Sequence, residues 1–189
     1  AQKNVARSTV TLENRLSGAI VTREVAMMKQ DVRVGVIGVG RMGQRHCRNF
    51  ANLRRAEFVG VYDARKEAAD AIARQHDVRA FGELDALLDH VDAVSIAAPT
   101  PLHFSLAQRC IRRGVHVLIE KPITETVAEA ELLVAEAKDR RAVDGSPLVV
   151  MLGHIERFNT AYIELKNVLE GMTPLAINFR RLSAIGSSN

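Results

Sequence analysis

The chain has 189 residues, room for one full domain and part of a second. Hydrophobic residues make up 47% and charged residues 25%, the balance of a soluble globular protein. The net charge of +4 is spread over interleaved acidic and basic side chains, so no basic block marks a nucleic-acid partner, and no run of about 18 apolar residues marks a membrane span.

Residues 1–30 are mixed in character and contain no apolar signal core. Met27 and Met28 stand just before the first clear strand, so a native start at one of them is expected, with the preceding residues as vector sequence or an upstream extension. A genuine N-terminal arm is the alternative. From Asp31 a regular alternation begins. Val32 to Ile37 is a β-branched apolar run, read as a strand buried on both faces. Met42 to Leu53 reads as a helix, Phe58 to Tyr62 as a strand, and Glu67 to Gln75 as a helix. A short strand at Val78 to Phe81 and a short helix at Leu84 to Leu88 follow. Val91 to Ala98 contains the fourth strand, Phe104 to Arg112 a helix, and Val115 to Ile119 the fifth strand. Repeated strand–helix units with short loops predict a doubly wound α/β Rossmann fold with a parallel sheet and right-handed crossovers.

Thr126 followed by Glu129 predicts a capping box. Ala130, Leu133, Val134 and Ala137 form one apolar stripe at helical spacing on the helix it opens. Asp144 to Pro147 is a loop, Leu148 to Leu152 a sixth strand, and Thr160 to Leu169 a further helix. Leu175, Ile177 and Phe179 alternate with polar or small residues, the pattern of a half-exposed strand opening a second, α+β domain. The expected division is an extension over 1–30, a dinucleotide-binding domain over 31–123, and linking helices with a partial C-terminal domain over 124–189. Cys47 and Cys110 both fall in predicted helices, so buried free thiols in a reducing, cytoplasmic setting are expected rather than a disulfide.

Four features carry chemistry. Gly38-Val39-Gly40-Arg41-Met42-Gly43 closes a buried strand and opens a helix, the context in which G-x-G-x-x-G binds a dinucleotide. Gly38 permits the tight turn, Gly40 lets a pyrophosphate approach the backbone, and Gly43 allows close helix packing. The helix N terminus offers free N–H groups and partial positive charge to the phosphates. Asp63 ends the second strand, 20 residues past Gly43, where a carboxylate accepts hydrogen bonds from ribose hydroxyls and repels a 2′-phosphate. NAD is therefore favoured, with NADP open because Arg65 lies two residues on. The run from Ala97 through Ala98, Pro99 and Thr100 to His103 ends strand four, at the sheet edge where ligands of open α/β folds bind. His103 is read either as a neighbour of the nicotinamide or as an ordinary helix-start histidine. Glu120-Lys121-Pro122 ends strand five, and a lysine at that edge can move a proton or polarise a carbonyl. No metal site is expected.

Together, G-V-G-R-M-G, Asp63, A-A-P-T-P-L-H and E-K-P-I-T resemble the Gfo/Idh/MocA oxidoreductases, and E-K-P is the most specific of these elements. The match runs from about Val32 to Leu182. Gly153-His-Ile-Glu-Arg-Phe-Asn159 is similar to the segment after the sixth strand in the sugar-nucleotide and cyclitol dehydrogenase branch, although Thr160 stands where that branch more often has proline. The resemblance implies hydride transfer between NAD(P) and a sugar, sugar-nucleotide or cyclitol, with Lys121 as the catalytic lysine. It implies a cis Lys121–Pro122 bond, Arg157 and Phe158 near cofactor or substrate, a small-molecule substrate, and homo-oligomers. The family's Asp/His pair on the C-terminal domain has no counterpart here, since no aspartate follows Asp144 and no histidine follows His154. A shortened expression product, a partly ordered longer protein and a naturally short homologue all agree with that. The alternative function is a non-catalytic dinucleotide-binding module, either a sensor or a partner-dependent subunit. A Rossmann-like methyltransferase would share the glycine loop but leaves E-K-P unaccounted for.

Overall fold

The computed structural model describes residues 31–176 and 178, together with short strand segments within residues 10–25. Those segments pair antiparallel, Val10–Leu12 with Arg23–Val25 and Arg15–Leu16 with Ala19–Ile20. The main sheet has six strands: β1 (Val32–Ile37), β2 (Ala56–Tyr62), β3 (Arg79–Ala80), β4 (Ala93–Ile96), β5 (His116–Ile119) and β6 (Val150–Leu152). Their spatial order is β6-β5-β4-β1-β2-β3, and every neighbouring pair is parallel. This is the doubly wound order whose direction reverses between β1 and β4, so the expected Rossmann sheet is present. The reversal opens a crevice at the carboxyl ends of those two strands.

The helices that connect the strands are α1 (Arg41–Ala51), α2 (Lys66–His76), α3 (Leu84–Leu88), α4 (His103–Arg112) and α5 (Val127–Ala137). They cover both faces, which is why the strands read as continuous apolar runs. Val36 and Ile37 are adjacent in β1 but belong to opposite cores, as a period of two requires. Val36 packs with Cys47 of α1 and with Ala69, Ile72 and Ala73 of α2. Ile37 packs with Leu84 and Leu87 of α3, Ile111 of α4 and Leu133 of α5. Each such fully buried aliphatic side chain contributes about 1.5–3 kcal/mol relative to exposure.

The capping box opens α5 as expected. Thr126 Oγ1 accepts from the Glu129 N–H at 3.3 Å, and Glu129 Oε2 accepts from the Thr126 N–H at 3.1 Å. The apolar stripe of α5 is buried unevenly. Leu133 is buried, but Val134 is 64% exposed. Ala130 and Ala137 are half-buried, as is Glu136, whose carboxylate accepts from Gln108 Nε2 at 2.9 Å and from Arg112 Nε at 2.6 Å.

β6 adds to the sheet beside β5, with Val150 opposite Val117, so the compact unit that contains the sheet runs to Leu152. A second unit covers Gly153–Asn189 and contains a 3-10 turn at Ile155–Phe158 and α6 (Thr160–Leu169). Asn159 caps α6 by accepting from the Ala161 N–H at 3.0 Å. The strand expected from Leu175 lies largely outside the described residues. No helix among the described residues is long and apolar enough to cross a membrane.

Both cysteines are free and buried, Cys47 in α1 and Cys110 in α4. Burial pushes each thiol up to about 12. A raised thiol stays protonated at neutral pH, and the protonated form is a poor nucleophile. Native protein should therefore resist alkylation at pH 8 and take up two equivalents of iodoacetamide only on denaturation, as read by intact mass. Rapid labelling of the native chain would contradict this packing.

Candidate functional site

The site is assembled at the carboxyl edge of the sheet, where β1, β2, β4 and β5 each deliver a loop. The glycine loop comes first. Gly38 has φ +86°, and a Cβ there would lie 2.8 Å from the Ala98 backbone nitrogen, so both conformation and space require glycine. A Cβ on Gly43 would overlap the Gly38 carbonyl oxygen. Gly40 is different, because a Cβ there would meet no protein atom within 4 Å. Protein packing leaves the space beside Gly40 open, as a binding cradle requires. Gly40 is also the N-cap of α1, without a side-chain cap and without an acidic residue in the first turn. The first-turn N–H groups are thus left for an outside acceptor, and an anion suits the positive end of the helix. Arg41 and Met42 form that turn, and Val39 beneath it is 2% exposed.

Asp63 stands just past β2, on one side of the crevice. Its Oδ2 accepts from the Val39 N–H at 2.8 Å and its Oδ1 from the Arg65 N–H at 2.9 Å. Arg65 Nε lies 3.7 Å from Oδ1, and the Arg65 side chain is largely exposed. The carboxylate therefore holds the glycine loop in shape. An ionised carboxylate offers about four lone-pair positions, so capacity remains for ribose hydroxyls.

The loops after β4 and β5 form the other side. Ala98 lines the turn against Gly38, Pro99 precedes a 3-10 turn at Thr100–Leu102, and α4 begins directly at His103. His103 is 1% exposed. Its Nδ1 lies 2.8 Å from the Pro122 carbonyl oxygen and its Nε2 lies 2.9 Å from the Ala98 carbonyl oxygen. With a carbonyl on each side, the ring donates to one in its neutral form and to both when protonated. Its observed work is to join the two loops. The Lys121–Pro122 bond is cis, as the resemblance implies. The Lys121 side chain is exposed at this edge, while Glu120 beside it is 7% exposed.

Two residues not expected from the sequence stand behind Glu120. His46 of α1 places Nε2 2.9 Å from Glu120 Oε1 and Nδ1 2.8 Å from Ser95 Oγ. Both carried a sequence signal. His46 falls on the helix face of Gly43, Cys47 and Phe50, and Ser95 is the one hydroxyl in an otherwise apolar strand. Arg157 lies in the 3-10 turn of the second unit and is exposed.

Comparison with known proteins agrees with this geometry. Residues 32–144 match the model of the Gfo/Idh/MocA group, described as an oxidoreductase family with an NAD-binding Rossmann fold. The chain is 42% identical over 130 residues to a UDP-N-acetylglucosamine 3-dehydrogenase of Acidithiobacillus ferrooxidans, covering 69% of this chain and 39% of that protein. It is 38% identical over 143 residues to an inositol 2-dehydrogenase of Saccharopolyspora erythraea, covering 74% of this chain and 41% of that one. Among solved structures, a myo-inositol dehydrogenase from Lactobacillus casei in complex with NAD(H) and myo-inositol superposes with a TM-score of 0.68 at 28% identity, over 74% of this chain and 41% of that chain. The chain thus spans about two fifths of the length of these relatives.

The glycines predict two separable phenotypes. Gly40→Val should cost no more than about 1 kcal/mol of stability, since the side chain enters open space at a helix cap, yet abolish NADH binding by calorimetry. Gly43→Val should cost at least about 3 kcal/mol through overlap with the Gly38 carbonyl. Thermal unfolding of both variants checks this, and a Gly40→Val protein that binds NADH normally would refute the cradle.

Proposed function

This chain belongs to the Gfo/Idh/MocA oxidoreductase family, and from that membership we propose that it is the cofactor-holding part of an NAD-dependent dehydrogenase acting on a sugar, sugar-nucleotide or cyclitol. One observation carries the reading. Asp63 and Lys121 lie on opposite sides of the crevice, with the open Gly40 cradle between them. In this fold a dinucleotide lies across the crevice with its pyrophosphate at the helix N terminus. The adenosine then lies on the β2 side, beside Asp63, and the nicotinamide on the β4–β5 side, beside Ala98, Pro99, Thr100, Glu120 and Lys121. When bound, NAD supplies the acceptor for a hydride from a carbinol carbon.

The chain's own residues do the rest. Val39 to Gly43 bind phosphate through backbone N–H groups. Asp63 accepts ribose hydroxyls and disfavours a 2′-phosphate. Lys121 takes the hydroxyl proton as the carbonyl forms, or returns it in the reductive direction. The substrate class is supported by the UDP-N-acetylglucosamine and inositol dehydrogenases that the chain resembles. The same reading has the protein working as a homo-oligomer in the cytoplasm, where buried free thiols such as Cys47 and Cys110 persist.

Two measurements test this. Asp63→Ser should shift preference toward NADP, and it should also weaken NAD, because the Val39 N–H loses its acceptor. Asp63→Asn should retain more NAD affinity than Asp63→Ser through its amide oxygen. A wild-type chain that prefers NADP would show that Arg65 sets the specificity instead. In the complete protein, Lys121→Ala should lower kcat/KM by about 10²–10⁴ while leaving the NADH dissociation constant in place. Undiminished turnover would remove Lys121 from the chemistry.

A further inference from the structure

We propose that Ser95, His46 and Glu120 form a largely buried polar relay that positions Lys121, with His46 at its centre. This rests on the reading of Lys121 as the proton-transferring residue. The relay starts in the middle of β4, at a serine with no exposed surface, crosses to α1, and ends at the last residue before Lys121. The Ser95–His46 contact is 2.8 Å and the His46–Glu120 contact 2.9 Å. The order of donors follows from chemistry. A carboxylate only accepts, so Nε2 carries the proton that goes to Glu120 Oε1. Nδ1 then accepts from the Ser95 hydroxyl, and none of the buried side-chain polar atoms of Ser95, His46 and Glu120 is left without a partner.

The relay stands where apolar packing would be cheaper. Ser95 lies in β4 between Val94 and Ile96, and His46 lies on α1 beside Cys47, all three of these neighbours buried. Desolvating a hydroxyl, an imidazole and a carboxylate there costs free energy that only complete hydrogen bonding offsets. What the arrangement achieves is directional. Glu120 Oε1 is held by His46, which turns Oε2 toward the backbone, where it accepts from the Lys121 N–H at 3.2 Å. On the far side, His103 lies 2.8 Å from the Pro122 carbonyl oxygen. The backbone on both sides of Lys121 is thereby gripped, one side by His46 through Glu120 and the other by His103. Among the described residues no salt bridge engages the Lys121 ammonium. The anchors fix the base of the side chain and leave its tip available. His46 hydrogen-bonds to Ser95 and Glu120 and acts on Lys121 through Glu120, so it is a positioning residue and not a catalytic one.

The test compares His46→Leu, His46→Gln and Ser95→Ala. Leucine keeps bulk but leaves Glu120 without its donor, whereas glutamine can donate to Glu120 and accept from Ser95. The first readout is amide hydrogen exchange at Lys121 in the full chain without ligand. Exchange should quicken severalfold in His46→Leu and stay near wild type in His46→Gln. The second readout is turnover in the complete protein. There His46→Leu should lower kcat by about 10- to 100-fold, the cost of a misplaced catalytic group, with NADH affinity unchanged and His46→Gln restoring most of the loss. Ser95→Ala should fall between the two, and it carries the comparison if His46→Leu does not fold. Wild-type exchange and kcat in His46→Leu or Ser95→Ala would overturn the proposal, as would a glutamine variant no better than leucine. A wild-type chain that binds no NADH would overturn the functional reading instead, and the exchange comparison would still decide for or against the clamp.

Discussion

The architecture depends on the approach of α1 to the end of β1. A Cβ at Gly43 would overlap the Gly38 carbonyl oxygen, so the helix can reach its observed position only with hydrogen there. That approach directs the uncapped first turn of α1 at the crevice between β1 and β4. It also sets the next turn of the helix against the sheet, so that His46 can reach Ser95 of β4 and Glu120 after β5. One steric constraint therefore fixes both the anion-binding end of the helix and the partner of the carboxylate beside Lys121.

The remaining loops are tied to this frame by polar groups that serve more than one purpose. Asp63 is read from the sequence as a ribose acceptor, yet it also accepts from the Val39 N–H at 2.8 Å and so shapes the glycine loop. Cofactor discrimination and loop geometry thus share one carboxylate, which explains why altering one should disturb the other. His103 joins the β4 and β5 loops through the carbonyls of Ala98 and Pro122. Asp63 and His103 hold these loops through hydrogen bonds to backbone, and such contacts fix short loops without long side chains that would lose rotamer freedom.

Much of this was legible in the sequence because it depends on local pattern. The β-branched run at Val32–Ile37, the three glycines and the Thr126–Glu129 box each encode their geometry within a few residues. The α3 and α6 boundaries matched for the same reason. What escaped depends on partners distant in the chain. Val134 of the α5 stripe is exposed, while Glu136 accepts from Gln108 and Arg112 of α4. His46 and Ser95 lie 49 positions apart, and no spacing rule joins them. Likewise, nothing local tells that the imidazole of His103 is spent on two carbonyls. The strand expected from Leu175 lies largely outside the described residues.

The central claim is that one crevice, bounded by Asp63 and Lys121, receives the dinucleotide. Amide-shift mapping on isotope-labelled protein titrated with NADH tests it most directly. Saturable shifts should concentrate at Val39 to Gly43, Asp63, Ala98 to Thr100, and Glu120 and Lys121. Saturable shifts that leave the glycine loop and Lys121 untouched, or no shifts at all, would contradict it.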